Sequence, residues 1–220
     1  MKIRAIITGA TGMVGEGVLH ECLQHPDVEQ VLIVNRKPGG FSHPKLKEIV
    51  HADFFDLSPI ADQLKGYNAC YFCLGVTSVG LKEPEYTRLT YDLTMQMATL
   101  LAQQSPDMTF CYVSGGGTDS TEKGRSMWAR VKGRTENAIL KLFPNGYMFR
   151  PGYMHSTPDM KNTNKYYKYI SWLYPALKVL LPNSVSTLRA LGLAMINATL
   201  HGYEKHIVEV KDIKKLAGVE

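Results

Sequence analysis

The feature that most constrains the fold is a short apolar run that ends in a glycine-rich turn: Ile3, Ala5, Ile6 and Ile7 lead into Thr8, Gly9, Ala10, Thr11, Gly12, Met13, Val14 and Gly15. The run reads as a fully buried parallel strand. Val14, Val18, Leu19 and Cys22 then recur on one helical face, so the order is strand, turn, helix. The spacing G-x-x-G-x-x-G assigns each glycine a task. Gly9 lets the chain turn out of the strand, Gly12 lets a diphosphate approach bare main chain, and Gly15 lets the helix pack closely. The start of that helix presents unpaired N–H groups and a positive dipole end, which suits an anion.

The rest of the chain repeats the alternation. Residues 30–35 form a second apolar strand, followed by Arg36, Lys37 and the loop Pro38, Gly39, Gly40. A third strand around residues 47–51 leads to Asp53 and Phe54. A fourth, residues 69–74, runs into Gly75, and a fifth, residues 108–113, opens into Ser114 and three glycines. A sixth, residues 146–150, is closed by Pro151 and Gly152. Helical stripes lie between them: Leu89, Leu93, Met97 and Leu100 in one, and Trp128, Val131, Lys132, Thr135 and Ile139 in another. The expectation is an α/β fold of the doubly wound type, a parallel sheet with helices on both faces. Residues 1–152 are expected to form the dinucleotide-binding core, and 153–220 a small C-terminal substrate or lid region packed on the same domain.

A chain of 220 residues suits one such domain. Its net charge of +5 comes from interspersed acids and bases, with no dense basic run, so nucleic acid is not an expected partner. Cys70 and Cys73 match C-x-x-C, but residues three apart in a strand point to opposite faces, which argues against a redox pair or zinc knuckle. No metal site is expected. Nothing at the start reads as a signal peptide, and a cytoplasmic location is the expectation. The aromatic stretch 166–181, interrupted by Lys168, Pro175 and Lys178, is too broken to span a membrane. It reads as a pocket lid, a dimer face or a membrane-surface helix. Residues 185–200 read as a helix and 207–210 as a late strand.

At the end of the second strand a dinucleotide site reads the adenosine ribose, and an NAD site usually places an acid there. Here stands Asn35 with Arg36 and Lys37 beside it, which suits a 2′-phosphate gripped by a planar guanidinium fork and a point charge. Asp53 has two readings, an acceptor for the adenine amine or a helix cap near Asp56, Ser58 and Pro59. Gly75, at a strand C-terminus, is placed for close passage of a coenzyme.

Taken together, residues 8–15, Asn35 to Lys37, Asp53 and Phe54, Leu74 and Gly75, Ser114 and Gly115, Lys132 and Arg150 to Gly152 resemble the atypical, extended-type short-chain dehydrogenase/reductases. The likeness is to small NAD(P)H-binding Rossmann members such as the Tat-interacting-protein oxidoreductase and epimerase-like branch, and it covers residues 1–152 best. The resemblance implies NADP(H) held by Gly9, Thr11, Gly12, Met13, Val14, Asn35, Arg36, Lys37, Asp53, Phe54, Leu74, Gly75 and Lys132. It also implies a catalytic Ser, matched by Ser114, and a Tyr-x-x-x-Lys whose Lys is matched by Lys132. Its Tyr position is Trp128, and an indole N–H is no usable acid near neutral pH. Tyr174 to Lys178 is the one other Tyr-x-x-x-Lys, read as a chance match. The proton then comes from Tyr153 or His155, or from water, or catalysis is absent. Three functions follow: an NADP-dependent oxidoreductase acting on a small carbonyl or alcohol, a non-catalytic NADP(H) sensor, or a nucleotide-sugar epimerase. The expected state is monomer or homodimer, with a small-molecule substrate and peripheral membrane contact left open.

Overall fold

The computed structural model describes residues 1–155 and 183–219. The expected lid stretch 166–181, with its Tyr174-to-Lys178 match, lies outside the described residues. The first half runs β1 (Ile3–Thr8), α1 (Met13–Gln24), β2 (Val28–Asn35), β3 (Leu46–Val50), a 3-10 helix (Ser58–Leu64) and β4 (Ala69–Phe72). Then come α2 (Glu83–Thr87), a π-helical stretch (Arg88–Asp92), α3 (Leu93–Gln104), β5 (Thr109–Val113), α4 (Met127–Leu142) and β6 (Gly146–Arg150). The chain closes with β7 (Tyr153–His155), β8 (Val185–Thr187), α5 (Leu188–His201), β9 (Ile207–Glu209) and α6 (Val210–Ala217).

Seven strands form one parallel sheet in the order β3-β2-β1-β4-β5-β6-β9. β7 and β8 pair separately. Strand alternation sends side chains to two apolar layers. Ile3, Ala5 and Ile7 join α1, α5 and α6, whereas Ile6, Leu32 and Val34 join the 3-10 helix, α3 and α4. Cys70 and Cys73 fall on opposite layers as the spacing predicts. Burial pushes the Cys70 thiol well up and that of Cys73 to about 12, so both are inert.

The helix before β5 follows its apolar stripe only in part. Of Leu89, Leu93, Met97 and Leu100, only Met97 is fully buried. Leu93 and Leu100 pack half-buried against the core, and the fully buried face adds Tyr86, Thr90, Thr94, Ala98 and Leu101. The π-helical turn shifts the phase of the helix, and Thr94 tolerates burial because its hydroxyl donates to Thr90 O, 2.5 Å away. Residues 183–219 also build more than a flank. β9 extends the main sheet beside β6, while Gly17 abuts Leu188 and Gly192 abuts Glu21 where α1 and α5 cross.

Candidate functional site

Strand register lines up the C-terminal ends of β1, β4, β5 and β6. Thr8 lies opposite Phe72, Phe72 opposite Tyr112, and Val113 opposite Phe149. The order reverses at β1, which has β2 on one side and β4 on the other. Ligands bind parallel sheets at such a switch point. Gly9 turns out of β1 with φ +71°, a left-handed conformation that favours glycine. A Cβ on Gly9 would also sit 2.8 Å from Leu74 N, so β1 and β4 close onto each other here. Gly12 N donates to Gly9 O at 2.9 Å, and Gly12 caps α1 without any side-chain bond. Thr11 and Gly12 are exposed, and Met13 and Val14 are half-buried. The first N–H groups of α1 are therefore left to a ligand, with one glycine-bare surface beneath them. A Cβ on Gly15 would run into Gly9 O, so the third glycine brings helix and turn into contact.

At the end of β2, Asn35 is 3% exposed and its side chain donates to Glu48 Oε1 at 2.8 Å. Arg36 and Lys37 are exposed and make no side-chain hydrogen bond or ion pair among the described residues. Asp53 does not cap the 3-10 helix. Its carboxylate accepts from Phe55 N at 2.8 Å in a local turn, and Asp56, not Asp53, receives Ser58 N and Oγ before the 3-10 helix. Phe54 is 3% exposed and its ring belongs to the core, so its main chain is the part left for a ligand. Leu74 N reaches Thr8 Oγ1 at 3.4 Å, and a Cβ on Gly75 would meet nothing within 4 Å, so this loop lies open at the crevice.

Ser114 and Lys132 are brought together, but not as expected. The Lys132 amine donates to Ser114 O, while the Ser114 hydroxyl, in a residue 5% exposed, donates to Glu136 Oε1 at 2.5 Å. Glu136 is fully buried and pairs with Arg150 through Nε at 3.0 Å and a terminal nitrogen at 2.5 Å. Arg150 continues to Ser120 Oγ at 2.5 Å and Glu209 at 3.4 Å. Ser114 thereby belongs to a buried polar cluster joining the end of β5 to α4, β6 and β9. Removing one partner of a buried ion pair costs about 3–5 kcal/mol, because the other charge is stranded. Burial lowers the Lys132 amine from 10.5 to about 8, against a smaller upward pull from Glu136.

Trp128 stands beside the glycine loop, where a Cβ on Gly117 would lie 3.6 Å from the indole. Gly116 N donates to Pro151 O at 2.8 Å, so the three glycines run along the end of β6. Tyr153 opens β7 with its N–H donating to Ser184 O at 2.9 Å and its hydroxyl oxygen buried. Glu136, Ser120 and Glu209 escaped the sequence reading. The i, i+4 spacing of Lys132 and Glu136 was the one signal available, since Arg150 meets Glu136 and Glu209 only once the sheet is assembled. No helix among the described residues is long and apolar enough to cross a membrane.

The family model described as "NAD dependent epimerase/dehydratase family" matches residues 5–123, more than half of the chain. The chain belongs to that family. Among solved structures, the fold is similar to the Bordetella bronchiseptica enzyme WbmF in complex with NAD+, at 14% identity and a TM-score of 0.67, covering 99% of this chain and 77% of that one. It is also similar to UDP-N-acetylglucosamine 4-epimerase from Bacillus cereus, at 14% identity and a TM-score of 0.68, covering 94% and 78%. In sequence it is similar to the protein named "Protein FMP52, mitochondrial" of Debaryomyces hansenii, 28% identical over 151 residues, 67% of this chain. The match spans 65% of that relative's length. This relative's mitochondrial name overturns the expectation of a cytoplasmic location. The epimerase/dehydratase membership agrees with the extended-type resemblance, and the seven-stranded parallel sheet is the fold that resemblance implied.

Proposed function

We propose that this epimerase/dehydratase family member is an NADP(H)-dependent oxidoreductase acting on a small carbonyl or alcohol. The observation that carries the reading is the uncapped start of α1 over the bare turn at Gly9 and Gly12, set at the switch point of the sheet and flanked by two exposed cations after β2. In this reading Gly9, Thr11, Gly12, Met13 and Val14 hold the diphosphate with main-chain N–H groups. Arg36 and Lys37 take the 2′-phosphate, with Asn35 buttressing them. Asp53, the main chain of Phe54, Leu74 and Gly75 flank the adenosine. When bound, the coenzyme supplies or accepts a hydride.

The remaining work falls to the chain's own groups. Lys132 holds the nicotinamide ribose by its amine, which the buried cluster at Ser114 and Glu136 fixes in direction. Trp128 packs against the glycine loop and keeps water from that side. Tyr153 gives the proton to the substrate oxygen, and residues 153–220 form the substrate side of the domain, as monomer or homodimer.

The replacement of the family's usual Tyr by Trp128 favours a second reading, a protein that binds NADP(H) without turnover and signals its occupancy. Oxidation of NADPH against a panel of aldehydes and ketones separates the two. The oxidoreductase reading expects turnover on some substrate, with Tyr153→Phe lowering kcat by about 10²–10⁴-fold, the size of a lost general acid. NADPH binding with no turnover on any substrate favours the sensor. Binding of a nucleoside diphosphate sugar in the same titration returns the chain to the chemistry named for its Bacillus cereus neighbour.

A further inference from the structure

The loop that carries Arg36 and Lys37 is closed by an acid from the neighbouring strand. One oxygen of Glu48, Oε1, accepts from Asn35 Nδ2 and from Gly39 N, both at 2.8 Å. Those donors are the first and last residues of the turn 35–39, so a single atom pins both ends. The anchorage on either side is firm. Asn35 is buried, its carbonyl accepts from His51 N at 2.8 Å, and Ile33 lies opposite Glu48 in the β2–β3 register. The turn is also tight, since a Cβ on Gly39 would stand 2.7 Å from the Phe41 ring and 3.1 Å from Asn35 Nδ2. Between the pinned ends, Arg36, Lys37 and Pro38 project as an exposed tip.

Resting on the coenzyme reading above, we propose that Glu48 is the positioning residue that sets coenzyme selectivity: its carboxylate clips residues 35–39 so that Arg36 and Lys37 converge on a 2′-phosphate, while its charge limits how tightly that phosphate is held. The two actions are separable in chemistry. A glutamine keeps an acceptor oxygen for both donors and removes the charge, whereas an alanine removes both.

The test is calorimetric titration of the purified chain with NADPH and with NADH, for the unmutated protein, Glu48→Gln, Glu48→Ala and Arg36→Ala. Exchange of the Gly39 amide, followed without coenzyme, reads the clip alone. Glu48→Gln should tighten NADPH by about two- to fivefold, the scale of an exposed charge interaction, and leave NADH unchanged. That gain should fade as salt screens it. Glu48→Ala should cut the NADPH-to-NADH affinity ratio about tenfold below that of Glu48→Gln, the scale of two lost hydrogen bonds, and should lose the protection of Gly39 that Glu48→Gln retains. Equal ratios in the two Glu48 variants, or unchanged Gly39 protection in Glu48→Ala, would overturn the proposal. So would a loss of NADH affinity in Glu48→Gln, which would make Glu48 a ribose-hydroxyl acceptor, or an unchanged NADPH preference in Arg36→Ala. Failure of the unmutated protein to bind either coenzyme sinks the coenzyme reading itself, a result distinct from all of these.

Discussion

Lys132 is the residue whose surroundings depart furthest from its ordinary chemistry at the site. Its amine sits at about 8 because burial disfavours the cation more than Glu136 favours it. Below pH 8 the folded and unfolded chains both carry the proton, and the full cost of burying a charge weighs on the fold. Between about pH 8 and 10.5 the folded chain has released it while the unfolded chain still holds it, so the Lys132 contribution to stability improves as pH rises. Lys132→Met should therefore be more stable than the unmutated protein at pH 7, by no more than about 3 kcal/mol, with the difference shrinking toward pH 10.5. Urea midpoints of the two proteins at pH 7 and pH 10 check it, and a difference that grows with pH would refute it. The residues legible in the sequence were those whose task is set by their own backbone. Gly9 and Gly15 announce themselves by spacing, because no other residue fits a left-handed turn or a helix laid on main chain. Ser114 did not, because a serine after a strand reads the same whether its hydroxyl meets a substrate or, as here, a buried acid 22 positions away. Glu48 gave no signal at all, since its two donors lie on another strand and in the loop beyond it.

At the scale of elements, the inner strands were readable because burial on both faces makes them continuous apolar runs, and the late strand at residues 207–209 emerged where it was expected. Helix faces were less so. Leu93, Met97 and Leu100 pack on the core as the stripe implies, but Thr94 also faces inward, its hydroxyl bonding back to Thr90 O, and no apolar pattern announces that. The contact of α1 with the turn is the element-level feature most open to test. Gly15→Ala places a methyl group against Gly9 O and 2.9 Å from Ala10 N, both main-chain atoms that cannot swing aside. It should destabilise the protein by about 1–3 kcal/mol through overpacking, and weaken coenzyme binding because the turn must shift. Denaturant unfolding and a binding titration on the same variant measure the two effects. An alanine variant of unchanged stability would show that the helix and turn do not meet as described.

For the molecule as a whole, residues 183–219 and 1–155 share one sheet and one apolar layer. α5 crosses α1, β9 pairs with β6, and Arg150 reaches both Glu136 on α4 and Glu209 at the end of β9. The sequence marked a change of pattern after Gly152 but not this return, because pairing between distant strands leaves no local periodicity to read. The consequence is that the crevice at the strand ends rests on a base tied together from both ends of the chain. The most direct measurement of the central claim is a crystal structure of the protein soaked with NADPH. The account predicts the diphosphate on the main-chain N–H groups at the start of α1, beside Gly9 and Gly12, with the 2′-phosphate at Arg36 and Lys37. Coenzyme bound at any other place, or none bound at saturating concentration, would contradict it.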